Sequence, residues 1–415
     1  MQAREAIILA GGLGTRLRSL VSDLPKCMAP VAGHPFLKHV VRYFLSQGIE
    51  KFIFSLGYKH ELIEDFLSRE FPYVNYQICV EPEPLGTGGA IQLACKRATE
   101  KDVVVVNGDS LFKADIQKTF SFHQQHHAGC TLLLKPMERF DRYGVVELEG
   151  DCTVKSFKEK QFYKSGDINA GVYILNVELF LDKEFPEKFS FEKDYLEKFF
   201  SNHDIYGIIQ DRYFIDIGIP EDYRRAQEEL QQIPLHLENV DSTWTLFLDR
   251  DGVINHEKQN EYILNWSEFQ FYPHVAEAIR LLSGKFNTII VISNQRGVGR
   301  GLMTETDLLD IHERMKMRIE DDGGRIDRIY YCTAPEATNF YRKPNPGMAL
   351  LATKDFPAID LSKSIMVGNK PSDMQFGRNA GTYTVYVKTT DPTLLLPHPD
   401  IDLAFDDLLD FAKAL

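Results

Sequence analysis

Residues 9–26, LAGGLGTRLRSLVSDLPK, decide how the first half of the chain folds. They follow a short apolar run at 6–8, which predicts a buried strand. The turn after this strand is rich in glycine, and glycines let successive backbone N–H groups form a concave site for an anion. Arg16 and Lys26 add positive charge where a polyphosphate would lie. The stretch therefore predicts a phosphate-binding loop at the end of a strand.

A second glycine-rich stretch, EPEPLGTGGA at 81–90, follows another predicted strand and opens a helix. Alone, it is equally well a flexible turn with a helix start. Together with residues 9–31, it resembles the nucleotide-binding segments of the sugar-1-phosphate nucleotidylyltransferases. The resemblance implies that Arg16 and Lys26 stabilise phosphates during catalysis. It also implies that the nucleotide is bound by residues of both loops: Leu9, Gly11, Gly12, Gly14, Thr15, Gly86 and Thr87.

Two aspartates in this half follow apolar strands. Asp109 ends the run VVVVNGD, and Asp216 ends the run FID. Ordinary turn chemistry is the alternative interpretation of Asn-Gly-Asp. Carboxylate and phosphate oxygens are the ligands that Mg²⁺ prefers, and the nucleotidylyltransferase resemblance implies that these two aspartates hold this ion.

Three segments between the two aspartates match, in order, the sugar-contacting segments of the same family: 143–147, 157–160 and 169–173. Each alone is equally well a plain strand or turn. Glycine leaves room for a pyranose ring, glutamate accepts hydrogen bonds from hydroxyls, and lysine pairs with phosphate. The resemblance implies that the sugar phosphate is bound by Gly144, Glu159, Lys160 and Asn169.

The second half begins with an apolar strand that delivers Asp249 and Asp251, two carboxylates two residues apart. One such carboxylate can attack phosphorus, and the other can exchange a proton with the leaving oxygen and with water. A bare Asp-Gly turn is the other interpretation. Three further polar segments follow: SNQRG at 293–297, YRKPNPG at 341–347 and MVGNKPSD at 366–373.

In this order, the four segments resemble the haloacid dehalogenase-like phosphatases, most closely those acting on D-glycero-D-manno-heptose 1,7-bisphosphate. The resemblance implies that Asp249 is the nucleophile, Asp251 the acid/base, and Lys343 a catalytic cation that screens the nucleophile from the incoming phosphate. It implies that the substrate is bound by Ser293, Asn294 and Arg342. It also implies that Mg²⁺ is held by Asp249, the backbone carbonyl of Asp251, and Asn369.

The chain departs from this phosphatase pattern at two places. The family usually has aspartate at the position of Asn369, and an amide oxygen brings no charge to a metal ion. Asp373 is near enough in sequence to reach the metal through water. Relatives commonly have a Cys/His zinc loop, whereas only Cys332 stands here, so no zinc is expected.

Alternating strands and helices predict an α/β protein with two Rossmann-like domains. We expect a nucleotidylyltransferase domain with a mixed sheet at 1–234, an aperiodic linker at 235–242, and a haloacid dehalogenase-like phosphatase domain with a parallel sheet at 243–415. The net charge of −13 argues against a nucleic-acid partner. The six cysteines are scattered, and no apolar run approaches membrane-spanning length, so we expect a cytoplasmic protein.

Two such domains on one chain imply consecutive reactions. The resemblances imply removal of the 7-phosphate from heptose 1,7-bisphosphate, followed by transfer of GMP from GTP to heptose 1-phosphate, with Mg²⁺ at both sites. The alternative is a transferase for another sugar, such as mannose, joined to a weakened, regulatory or differently specific phosphatase-like domain. The expected partners are a nucleoside triphosphate and heptose phosphates. The residues leave the base, the sugar and the oligomeric state open.

Overall fold

The computed structural model describes residues 2–12, 17, 21, 23–231, 233–258 and 261–415. Gly14, Thr15 and Arg16, which the sequence places in the first phosphate-binding loop, lie outside the described residues. The chain divides into two compact units, Met1–Gln232 and Ile233–Leu415. Within the described part of the chain, no helix has both the length and the apolar character needed to cross a membrane.

The described residues of the first unit form thirteen strands and seven α-helices. The strands are β1 (Glu5–Leu9), β2 (Pro30–Val31), β3 (His34–Pro35), β4 (Lys51–Leu56), β5 (Asn75–Val80), β6 (Asp102–Asn107), β7 (Ser110–Phe112), β8 (Cys130–Phe140), β9 (Val145–Leu148), β10 (Val154–Lys158), β11 (Tyr163–Asn176), β12 (Ile205–Ile209) and β13 (Phe214–Asp216). The helices are α1 (Phe36–Ser46), α2 (His60–Glu70), α3 (Gly86–Cys95), α4 (Ile116–Gln125), α5 (Val177–Leu181), α6 (Glu197–Phe199) and α7 (Pro220–Glu229). A π-helical turn occupies Phe191–Leu196.

Nine of these strands form one mixed sheet, as the sequence predicts. Its main path runs β10-β9-β11-β6-β1-β4-β5, and β8 and β12 extend it from β11. The strands β6, β1, β4 and β5 are parallel, whereas β11 pairs antiparallel with β6. β1 and β6 are almost entirely buried, because α/β sheets are covered by helices on both faces. Their carboxyl ends therefore share one edge, where ligands bind in such folds.

Six strands and six α-helices are formed by the part of the second unit that the structure describes. The strands are β14 (Thr245–Leu248), β15 (Thr288–Asn294), β16 (Arg328–Cys332), β17 (Ser364–Gly368), β18 (Tyr383–Val387) and β19 (Leu403–Phe405). The helices are α8 (Val275–Lys285), α9 (Arg296–Gly299), α10 (Glu305–Asp321), α11 (Gly347–Asp355), α12 (Pro371–Ala380) and α13 (Leu408–Ala414).

All six strands of the second unit are parallel, in the order β16-β15-β14-β17-β18-β19, which confirms the expected parallel sheet. The central strand β14 is buried along its whole length and delivers Asp249 to the carboxyl edge. The stretch 235–242, expected as a linker, belongs to the second unit in the structure. Two of its apolar side chains, Leu235 and Val240, pack into the core of that unit.

Candidate active sites

The site of the first unit is built around Lys26. Its Nζ lies 2.6 Å from Oδ2 of Asp109 and 3.1 Å from Oδ1 of Asp216. Burial alone would lower the pKa of Lys26, but the two carboxylates raise it, so this lysine stays charged. Three predicted site residues, separated by up to 190 positions, therefore meet at one point.

A short antiparallel ladder fixes the two aspartates. β7 follows the turn after β6, and its Ser110 pairs with Asp216 of β13. The Ile217 N–H donates to the carbonyl of Asp109 (3.1 Å), and the Gly218 N–H donates to Oδ1 of Asp216 (2.8 Å). Both carboxylates face the same ammonium group, so they can also face one divalent cation. Mg²⁺ is commonly held by one or two carboxylates together with substrate phosphates, and this pair fits that requirement.

The described part of the first loop approaches neighbouring backbone closely. A Cβ atom at Gly11 would lie 2.7 Å from Oε1 of Glu81 and 3.3 Å from the amide nitrogen of Gly57, so a larger residue would require the Glu81 side chain to move. The carbonyl of Leu9 accepts a hydrogen bond from the Gly108 N–H (2.8 Å), which joins the ends of β1 and β6. At Gly12, the described atoms leave open space around an added Cβ. Of the two described glycines in this loop, Gly12 is therefore the one that the described atoms do not crowd.

Glu81 lies at this loop, and the sequence interpretation gave it no role. Its carboxylate accepts a hydrogen bond from the Leu85 N–H (3.0 Å), and burial raises its pKa. Its proximity to Gly11 depends on the neighbouring ends of β1, β4 and β5. A contact between two loops that are 70 residues apart has no local sequence signal.

The second glycine-rich loop packs against the segment 187–192. The Gly88 N–H donates to the carbonyl of Phe189 (3.0 Å), and a Cβ atom there would overlap the Phe189 ring. Thr87 Oγ1 donates to Oε2 of Glu192 (2.8 Å) and accepts from the Phe191 N–H (2.9 Å). Gly86 adopts a positive φ of 74° against the Phe189 carbonyl. Gly86 and Thr87, which the sequence predicts to bind the nucleotide, therefore also have a packing role against the segment 187–192.

We predict that Gly88→Ala destabilises the first unit, because the added methyl group has no space beside Phe189. Overpacking of this kind costs about 1–3 kcal/mol, which thermal or urea unfolding will measure. Gly150→Ala is the matched control, because the described residues leave its Cβ position free within 4 Å. Equal unfolding midpoints for the two variants would contradict the packing role of Gly88.

The predicted sugar-binding residues lie along β9, β10 and β11. Asn169 accepts from the Gly171 N–H through Oδ1 (3.0 Å) and donates through Nδ2 to the Tyr173 hydroxyl (2.8 Å). Glu159 and Lys160 lie exposed in the turn between β10 and β11. Gly144 lies against the carbonyl of Lys158, where a Cβ atom would clash. These residues lie around antiparallel strands that continue the sheet from β6.

In the second unit, Lys343 joins two buried aspartates. Its Nζ lies 2.7 Å from Oδ1 of Asp249 and 2.8 Å from Oδ1 of Asp373, and it donates to the Ile292 carbonyl (3.0 Å). Burial and the nearby Asp373 raise the pKa of Asp249, whereas Lys343 opposes this effect. Asp373, which the sequence leaves able to reach a metal through water, pairs through its carboxylate with Lys343 and with the Asn369 and Lys370 N–H groups.

Asp251 accepts hydrogen bonds from three described side chains. Arg250 reaches both carboxylate oxygens through Nη2 (2.8 and 2.9 Å), and Asn255 and Gln295 donate from 2.9 Å each. Burial would raise the pKa of Asp251, but the Arg250 charge and these donors lower it. Arg250 in turn pairs with His312, whose pKa burial and the arginine charge lower to about 3. A neutral imidazole can accept from Arg250.

Sequence interpretation missed Arg250 and Gln295. Arg250 lies between the two aspartates, and Gln295 lies in the SNQRG segment. It assigned Ser293 and Asn294 to substrate binding. In the structure, both side chains also form hydrogen bonds with other residues of the protein. Ser293 Oγ accepts from Gln295 Nε2 (2.7 Å). Asn294 bonds to both the N–H and the carbonyl of Lys343, each at 3.0 Å, and so fixes the lysine.

Asn369 fits a metal-ligand role in an unexpected way. It is fully buried at the end of β17 and lies against Gly252, beside Asp251. Its Oδ1 atom has no hydrogen-bond partner among the residues that the structure describes. Buried polar atoms are normally paired, so this oxygen, on a residue that follows a strand next to the one that delivers Asp249, suits coordination of a cation.

Three arginines line the same cleft: Arg296, Arg300 and Arg342. Arg342 donates to the Pro335 carbonyl (2.5 Å), and its pKa is lowered by burial and by the charges of Arg296 and Arg300. The Arg300 guanidinium lies 5.9 Å from the centre of the Tyr262 ring. Within the described part of the chain, Arg296 Nε is buried without a hydrogen-bond partner. Of the three, only Arg342 was assigned to substrate binding from the sequence.

Comparisons with known proteins match the same two halves. The nucleotidyl transferase model matches residues 5–233, more than half of the chain, and the polynucleotide kinase 3 phosphatase model matches residues 245–388. The chain therefore belongs to the nucleotidyl transferase family, and its second half is a phosphatase-family segment. Both family resemblances expected from the motifs are confirmed.

Individual relatives cover each half almost completely. D-glycero-alpha-D-manno-heptose 1-phosphate guanylyltransferase of Aneurinibacillus thermoaerophilus is 52% identical over 55% of this chain and 98% of its own length. D-glycero-alpha-D-manno-heptose-1,7-bisphosphate 7-phosphatase of Mycobacterium bovis is 34% identical over 43% of this chain and 94% of its own length. The crystal structure of HddC from Yersinia pseudotuberculosis is 38% identical, with a TM-score of 0.51, over 56% of this chain and 100% of HddC. A second HddC structure contains GMP-PN.

Proposed function

We propose that this protein is a bifunctional enzyme of nucleotide-activated heptose synthesis. Its second unit removes the 7-phosphate of heptose 1,7-bisphosphate, and its first unit transfers GMP from GTP to heptose 1-phosphate. The observation that carries the proposal is that each unit of the chain contains a lysine held between two aspartates, at the sequence motifs of two different enzyme families. The relatives of the two halves act on consecutive intermediates, which supports the joint assignment.

In the first unit, the proposed reaction needs no protein nucleophile. A sugar 1-phosphate oxygen attacks the α-phosphorus of GTP in line, the bond from the α-phosphorus to the bridging oxygen breaks, and pyrophosphate leaves. Catalysis of such transfers depends mainly on positioning and on neutralising developing charge. Lys26 supplies a fixed cation between Asp109 and Asp216. Mg²⁺ held by these aspartates would supply charge neutralisation for both substrates. The glycine loop at Gly11 and Gly12 brings backbone close to the nucleotide.

In the second unit, Asp249 attacks the 7-phosphorus and the sugar hydroxyl leaves. In the form that carries a proton, Asp251 gives it to the leaving oxygen, and the resulting carboxylate then takes a proton from the water that hydrolyses the phospho-aspartate. The lowered pKa of Asp251 favours the carboxylate form, which serves the second of these steps. Lys343 reduces repulsion between Asp249 and the phosphate, and Asn294 fixes the backbone of Lys343. Mg²⁺ on Asp249, the Asp251 carbonyl and Asn369 would supply further neutralisation of the phosphate charge.

The three arginines of the cleft are proposed to bind the phosphate that the reaction leaves on the sugar. Arg296→Ala is expected to raise KM for the bisphosphate by about tenfold with little change in kcat, because a charge-assisted hydrogen bond is lost. A sugar with only the scissile phosphate serves as the comparison substrate, and its KM should change less than twofold. An equal rise for both substrates would show that Arg296 does not read the second phosphate.

The alternative function joins a transferase for another sugar to a weakened or regulatory second unit. Asn369 is the observation that favours it, whereas the intact Asp249–Lys343–Asp373 cluster favours an active phosphatase. Pyrophosphate release with heptose 1-phosphate and mannose 1-phosphate, each with GTP or ATP, tests the sugar and the base. Heptose 1-phosphate with GTP should give the highest kcat/KM. A higher value with mannose 1-phosphate would replace the proposed sugar.

We also propose a cytoplasmic location for the protein. The six cysteines are free in the structure, and five of them are buried. Unpaired thiols of this kind are typical of a reducing compartment. The proposed partners are GTP and heptose phosphates.

A further inference from the structure

The amide of Asn369 is held by two residues that lie far from it in sequence. Its Nδ2 donates to Oε1 of Glu257 (3.1 Å) and to Oγ1 of Thr390 (2.6 Å). These two bonds use both amide hydrogens. The remaining atom, Oδ1, is fully buried and lacks a hydrogen-bond partner among the residues described.

The chemistry of Glu257 fixes which end of the amide points in each direction. An ionised carboxylate can only accept hydrogen bonds, so the Asn369 atom that faces it must be nitrogen. The other amide atom, the oxygen, must then face away from Glu257. Because β14 and β17 are neighbouring parallel strands, Asn369 follows β17 next to the strand end that carries Asp249. Its oxygen lies against Gly252, the residue after Asp251, where an added Cβ atom would be 2.8 Å from Oδ1. This oxygen is an uncharged potential metal ligand, and its orientation is fixed by the hydrogen bonds of Nδ2.

Glu257 is itself held in place by a cation. Its Oε2 forms an ion pair with Lys370, so each carboxylate oxygen has its own task. A glutamine at this position has only one acceptor oxygen, and the Lys370 ammonium, which can only donate, will take it. The glutamine N–H₂ group would then face Asn369 and favour the reversed amide. Loss of one charge therefore turns the Asn369 oxygen away from the metal position.

We propose that Glu257, assisted by Thr390, is a positioning residue that aims the Asn369 oxygen at the Mg²⁺ site formed with Asp249 and Asp251. This inference rests on the proposed phosphatase function. It explains how an amide can coordinate the metal ion where the family usually has aspartate. A carboxylate can bind through either oxygen, whereas an amide must be oriented, and the hydrogen-bond partners of Nδ2 supply that orientation.

The test is calorimetric titration of Mg²⁺ into the full-length chain, with Asp216→Asn as the background so that the first unit contributes little. Glu257→Gln should weaken Mg²⁺ binding by about tenfold or more, the typical effect of losing a partner that orients a metal ligand. Glu261→Gln is the matched control, because it removes a charge from the same cleft. It should leave the affinity within twofold. Thermal melting without Mg²⁺ verifies that every variant is folded.

A second background separates positioning from simple charge. In Asn369→Asp, either carboxylate oxygen can bind the metal, so Glu257→Gln should change Mg²⁺ affinity less than twofold there. An equal loss in both backgrounds would overturn the proposal, because Glu257 would then act only through its charge. No loss with Asn369 present would also overturn it. In the Asp216→Asn background, Asp249→Asn should remove the remaining Mg²⁺ binding. If the background binds no Mg²⁺, or if Asp249→Asn leaves its binding unchanged, the proposed phosphatase site itself is wrong.

Discussion

Asp249→Asn is expected to lower phosphate release from heptose 1,7-bisphosphate by at least about 10³-fold, since an amide cannot replace a carboxylate nucleophile. Pyrophosphate release from GTP and supplied heptose 1-phosphate should stay within twofold. The two rates are measured separately on the same preparation, so each serves as the folding control for the other.

This variant should remain folded, because Lys343 keeps two of its partners. Its Nζ still pairs with Asp373 and still donates to the Ile292 carbonyl. Phosphate release that persists in Asp249→Asn would show that another group attacks phosphorus. A parallel loss of pyrophosphate release would instead indicate a general folding defect and would remove support from the assignment of Asp249 as nucleophile.

Lys26→Met is expected to lower GMP transfer by about 10²–10³-fold, the scale of losing one preorganised group that stabilises developing charge. Phosphate release by the second unit should be unchanged. The physical reason is that Lys26 is the described cation that contacts both Asp109 and Asp216. Initial rates of pyrophosphate release with saturating GTP and heptose 1-phosphate will measure the effect.

Lys38→Met is the matched control for this substitution. Lys38 lies in the same unit on α1 and pairs with Glu70 at 2.5 Å, away from the two aspartates. Its replacement should leave transfer within twofold of the parent. If Lys38→Met and Lys26→Met reduce the rate equally, Lys26 has no special role in transfer.

The positions of Asp109 and Asp249 could be anticipated from the sequence, because each follows a strand that lies parallel to a neighbour in its sheet. Parallel strands bring their carboxyl ends to one edge, so the position after the strand is sufficient. Asp216 is different, because it ends β13, which pairs antiparallel with β7 outside the main sheet. Lys26 and Lys343 lie well beyond the strands that precede them, so only the fold shows that each contacts two aspartates.

Other features could not be read from the sequence because they depend on contacts between distant loops. The sequence around Gly88 is typical of a nucleotide-binding loop. Its packing against Phe189 becomes visible only when the fold places the segment 187–192 beside it. Glu257 meets Asn369 across 112 residues, and no local pattern joins them. Arg250 has a visible position next to Asp251, but its burial and its bond to His312 appear only in the fold.

The most direct test of the bifunctional account is one reaction of the full-length chain with heptose 1,7-bisphosphate, GTP and Mg²⁺, in which phosphate, pyrophosphate and GDP-heptose are followed together. The account predicts that phosphate appears first, that pyrophosphate follows after a lag, and that GDP-heptose equals pyrophosphate. Asp249→Asn should stop all three products, and added heptose 1-phosphate should restore the last two. If the unsubstituted chain releases no phosphate from the bisphosphate, and releases pyrophosphate only when heptose 1-phosphate is supplied, the account is contradicted.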